Sequence, residues 1–143
     1  MEAKQADVMA ILKLYELRRE DKMRAARAWY FTEFNPTSAA DIAKLMLSGQ
    51  AQSAYYRMIT SYWDMAASFV NNGGIDEKMF ADAGSEYLGV FSKLDPLIAE
   101  VREMFGEASY MAHLETLVLK QPNAKQILEN RRNLFARWAK PQA

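Results

Sequence analysis

Between Gln52 and Val70 the chain reads QSAYYRMITSYWDMAASFV. At 100° per residue, Tyr55, Tyr56, Met58, Ile59, Tyr62, Trp63, Met65, Ala66, Phe69 and Val70 cover most of a helix's circumference, and a helix that is apolar nearly all round sits in the middle of its domain. The stretch therefore predicts a central helix over 52–70 on which the other segments assemble. Arg57 and Asp64 interrupt it, so it does not make a membrane span.

Working outward, each flanking segment has helical periodicity and is bounded by start and stop chemistry. Upstream, Val8, Leu12, Tyr15, Met23, Ala26, Tyr30 and Phe34 predict one long amphipathic N-terminal helix over about 6–34, stopped before Pro36. Its middle, Arg18 to Arg27, is dense in both charges, and Glu20 and Arg24 have the spacing of a stabilising pair. Ser38 with Asp41 resembles a capping box for a short helix ending near Leu47, where Gly49 supplies the turn.

Downstream, Asn71-Asn72-Gly73-Gly74 releases the chain, and Asp76 caps the next helix with Ile75 and Phe80 spaced as a hydrophobic staple. That helix carries Phe80, Ala83, Tyr87 and Phe91. Asp95-Pro96 reads as an N-cap with proline in the first turn, and Gly106 as a stop. A further helix spans about 109–120. Asn123 and Gln126 predict a capping box for a basic C-terminal helix over about 124–139. With no alternating stretch long enough for a strand, the expectation is all-α: one domain over 1–143, an antiparallel helical bundle of six or seven helices with a long N-terminal helix.

Composition removes whole function classes. There is no cysteine and one histidine, His113, among 143 residues. That excludes disulfides, thiolate zinc sites, iron–sulfur clusters and multi-histidine metal centres built from this chain alone. The Glu-x-x-His, Gly-x-Ser-x-Gly and phosphate-loop patterns are absent, so no catalytic residue, cofactor or metal is assigned and the chain is expected not to be an enzyme.

Eighteen bases balance eighteen acids, which gives no global attraction to nucleic acid or anionic lipid. The balance is uneven along the chain. Residues 73–119 hold three bases against nine acids, net −6, and 120–143 hold six against one, net +5. The basic C-terminal helix is read as complementing acidic neighbours. A helix-turn-helix reading of Asp41 to Arg57 fails because the second helix turns apolar from Tyr55 onward, where a reader needs a polar face. No nucleic-acid partner and no membrane insertion by this chain are expected.

Two candidate sites remain. Arg57, Ser61, Asp64 and Ser68 share a face of the central helix, and with Tyr62 beside them they could line an apolar ligand pocket with polar anchors. A solvated edge or a satisfied network explains the same spacing and is the preferred reading. The N-terminal helix, with Arg27, Trp29 and Tyr30 as aromatic and arginine anchors, is the candidate interface. The leading expectation is a non-enzymatic interaction or structural module that associates with itself or with another helical protein; the alternative is a ligand-binding bundle.

Gly74-Ile75-Asp76-Glu77, Tyr87-Leu88-Gly89, Leu94-Asp95-Pro96-Leu97-Ile98 with Arg102, and His113-Leu114-Glu115-Thr116-Leu117 together resemble a family of small bacterial all-helical proteins catalogued as a domain of unknown function, over about residues 8–119. The resemblance implies an all-helical fold and carries no activity, substrate or catalytic residue. Several members place a transmembrane helix before this region. No such helix precedes Val8, so two expectations stand: a cytoplasmic chain, or one that begins after a removed anchor.

Overall fold

A computed structural model describes residues 3–139. Nine α-helices lie among them: α1 (Ala3–Arg18), α2 (Asp21–Thr32), α3 (Ala39–Met46), α4 (Ala51–Asn71), α5 (Glu77–Ala83), α6 (Glu86–Leu94), α7 (Ile98–Phe105), α8 (Ala112–Leu119) and α9 (Ala124–Trp138). A 3₁₀ turn, Asp95–Leu97, runs into α7, and the described residues contain no strand. The all-α architecture is as expected, and two of the seven anticipated helices are each divided.

The long N-terminal helix breaks at Arg19–Glu20. Glu20 leaves the helical conformation at ψ 143° and its carboxylate accepts from the amides of Lys22 and Met23 at 3.1 and 3.0 Å. These are orphan donors of a new helix start, and satisfying them displaces the anticipated side-chain pairing of Glu20 with Arg24. The second break is at Gly84–Ser85, between α5 and α6.

Other boundaries follow the local chemistry. Ser38 accepts from Asp41 N, Asp76 accepts from Met79 N, and Gly49 and Gly106 take φ of +69° and +66°. Asp95 does not act as a side-chain cap; its carboxylate meets Lys125 and Arg132 instead. Asn123 makes no side-chain cap either, and Gln126 turns to Asn130.

α4 is central, packed between α2 and α8. Tyr56, Ile59, Ala66 and Ala67 on it are wholly buried. A second enclosed rod lies beside it: every residue of α6 from Tyr87 to Leu94 is buried, Lys93 included. α9 closes over α6. There Gly89 allows the approach, because a Cβ at that position would stand 2.9 Å from the Phe135 ring.

Candidate functional site

The α4 seam is only partly assembled. Arg57, Ser61 and Asp64 line an open cleft of about 400 Å³ with Tyr56, Thr60 and Tyr110. Each polar group already has an intramolecular partner. Arg57 donates to Met46 O at 3.1 Å, Ser61 to Arg57 O, and Asp64 accepts from Leu114 N at 3.0 Å. Tyr56 and Tyr110 share a hydroxyl–hydroxyl bond of 2.7 Å, and burial pushes both phenols above their ordinary range. Asp64 thereby anchors the start of α8 to α4, and the cleft is a structural seam of satisfied groups.

Tyr62 is not part of that cleft. It points to the other side of α4, where its hydroxyl donates to Leu14 O and ties α1 to the core. Burial raises it to about 12. Ser68 also turns inward to its own helix, donating to Met65 O.

The anticipated interface anchors are corrected. Trp29 is 8% and Tyr30 0% exposed. Both lie in an aromatic group with Phe34, and the Tyr30 hydroxyl donates to Val90 O at 2.7 Å. Their periodicity marks the inner face of α2, leaving no surface for a partner. Arg27 is engaged too: it grips Glu86 through Nε at 3.0 and 3.1 Å and Nη2 at 2.7 Å. Glu86 also accepts from Trp63 Nε1 at 3.2 Å, so one carboxylate joins α2, α4 and α6. Its hydrogen bond raises Arg27 further above the guanidinium range.

The basic helix α9 meets acidic and polar neighbours. Lys125 and Arg132 reach Asp95 at 2.9 and 3.6 Å, and Arg131 donates to Ser85 Oγ at 3.0 Å. Among the described residues no group of His, Asp or Glu is placed to hold a metal ion, and no helix is long and apolar enough to cross a membrane.

An exposed apolar face lies on α1, with Arg18 and Arg19 over the Tyr15 ring at its end. The inner face of the helix is Asp7, Ala10, Ile11, Leu14 and Arg18, of which only Leu14 is buried. Its outer face presents Val8, Met9, Leu12 and Tyr15, between 44% and 56% exposed. An opening in the core surface also lies between the α2–α3 connection, the 3₁₀ turn and α9, with Lys93 and Arg132 in its wall. From sequence, Val8, Leu12 and Tyr15 belong to the same apolar face as Met23, Ala26, Tyr30 and Phe34; the structure corrects this, since the break after Arg18 turns those three outward while the other four are buried.

Comparison with curated proteins and with solved structures finds no match in either. Residues 3–121 match one family model, so the chain belongs to DUF4760, a domain of unknown function.

Proposed function

We propose that this protein is a non-enzymatic helical interaction module that pairs with a second copy through the outer face of α1. One observation supports it: Val8, Met9, Leu12 and Tyr15 form an apolar stripe in water on a helix of which Leu14 alone is buried among residues 4–18. Scattered exposed apolar residues need no account, whereas a contiguous stripe on one helix does. A short helix with so little burial gains its stability from packing.

A second copy is the simplest cover because the stripe is self-complementary. Antiparallel pairing about a twofold at Leu12 sets Leu12 on Leu12 and Met9 on Tyr15. Sedimentation velocity at micromolar concentration tests the reading. The expected species has twice the 16.3 kDa chain mass, and Leu12→Glu should return it to monomer with helical content unchanged. A wild-type chain that sediments only as monomer removes the reading.

A further inference from the structure

Lys93 is a basic residue in a position ordinarily filled by an apolar one. It is 7% exposed, and its ammonium donates to Tyr30 O and Phe34 O at 2.6 Å each, at the carboxyl end of α2. The third hydrogen has a long contact, 3.4 Å to Oδ1 of Asn35, an exposed side chain, and the ammonium lies 5.5 and 5.2 Å from the ring centroids of Tyr30 and Phe135. No carboxylate pairs with Lys93 among the described residues. Burial drives it down to about 8, the direction of a cation lacking a counter-charge.

Lys93 lines a cavity of about 300 Å³, at the small end of the range in which ligand sites fall. Arg132 stands in the same wall. It spends Nη1 on Ser92 O and Asp95, and no hydrogen bond of its Nε or Nη2 occurs among the described residues. Asp95 is already shared with Lys125. Lys93, Arg132 and Lys125 against Asp95 leave a local surplus of two positive charges. The remaining wall is mostly apolar, with Pro36, Pro96, Leu97 and Phe135.

We propose that this cavity binds a small apolar monocarboxylate, with its carboxylate between Lys93 and Arg132 and its hydrocarbon part against Pro96, Leu97 and Phe135. The carboxylate replaces the weak Asn35 contact and supplies the missing counter-charge. A bidentate fork from Arg132 fixes its orientation. The proposal is independent of self-association, since α1 contributes nothing to this wall.

Titration of the full-length protein with benzoate and with hexanoate, followed by amide chemical shifts, tests it, with benzamide and hexanol as neutral controls. Saturable shifts confined to residues 35–37, 93–97 and 132–136 are expected, with the neutral analogues at least tenfold weaker by the loss of a charge-assisted pair. Arg132→Gln should weaken benzoate at least tenfold. Ala136→Trp, which fills the cavity from the same face of α9 as Arg132, should abolish binding. Because Lys93→Met can disturb the end of α2, these two variants carry the test. Equal binding of benzoate and benzamide, unchanged binding in Arg132→Gln, or no saturable shift for either acid would overturn the proposal.

Discussion

Glu86→Ala removes the carboxylate on which α2, α4 and α6 converge. Glu86 is 15% exposed at its side chain and Arg27 31%, while Trp63 is 4% exposed. Truncation leaves the buried indole N–H without an acceptor, at about 1–2 kcal/mol. It also leaves the guanidinium without its bidentate partner, a further ~1.5–3 kcal/mol for hydrogen bonds to a charged group. Because nearly a third of Arg27 already reaches water, that second loss is discounted by about half. The expected total is about 2.5 kcal/mol, or a fall in Tm of roughly 8 °C for a chain of this size.

Urea unfolding followed by tryptophan fluorescence and by circular dichroism measures it. Glu86→Gln, which keeps an acceptor for Trp63 while dropping the charge, should lose roughly 1 kcal/mol. The pairwise part comes from a cycle with Arg27→Met, where a coupling of at least ~1 kcal/mol is expected. Additive single losses, or a Glu86→Ala penalty under ~0.5 kcal/mol, would show that the three helices do not depend on this junction.

Gly89→Ala sets two effects against each other: alanine gains about 1 kcal/mol of helix propensity, but its Cβ lands 2.9 and 3.2 Å from the Phe135 ring, and overpacking costs about 1–3 kcal/mol. Net destabilisation near ~1 kcal/mol is expected in denaturant titrations, turning to stabilisation in a Phe135→Leu background; no dependence on residue 135 would refute the close-approach account. Glu20→Ala should lose about 1 kcal/mol and speed hydrogen exchange at Lys22 and Met23, whose amides it caps; unaltered exchange there would count against the cap. For Lys93, ordinarily at 10.5 and lowered to about 8 on folding, the unfolded chain binds more protons between those values, so stability rises with pH. The burial penalty is present in full below pH 8 and is relieved by up to about 3 kcal/mol toward 10.5. Stability measured from pH 8 to 9, where unfolded tyrosines are still largely protonated, should climb in wild type and stay nearly flat in Lys93→Met. A flat wild-type profile would mean that the carbonyl bonds offset the burial.

The central helix was legible because its apolar residues leave so little of the circumference polar, and the caps at Ser38 and Asp76 because a short polar side chain preceding an amphipathic run has a local partner. The break after Arg18 was overlooked because Arg19, Glu20 and Asp21 do not themselves forbid a helix. A signal was nevertheless present in the phase. The inner positions 7, 11, 14 and 18 call for 21 or 22 next, yet the buried series resumes at Met23 and continues through Ala26 and Tyr30. That slip requires the chain to turn. Trp29 and Tyr30 look like anchors from sequence because an aromatic residue reads alike in a core and in an interface. α6 was read as one part of a longer amphipathic helix, since Gly89, Ser92 and Lys93 make it look half-polar. Only the third dimension shows that Ser92 bonds to Gly89 O and Lys93 to the end of α2. Arg57, Ser61, Asp64 and Ser68 share a face of α4 by spacing alone, and both parts of the preferred reading are visible: Arg57 and Ser61 are exposed, and each of the four has an intramolecular partner. Tyr62 was grouped with them by sequence proximity, which helical geometry overrides.

The family match ends at residue 121, but the hydrophobic interior does not. α9 begins after that point and inserts Leu128, wholly buried, and Phe135, 6% exposed, over α6. A fragment trimmed to the matched region would open the flank of the most enclosed helix in the molecule and uncover Gly89 and Phe31. Expression of this domain should therefore carry the chain through Trp138, and a shortened form is expected to be recovered as aggregate rather than as a smaller folded unit.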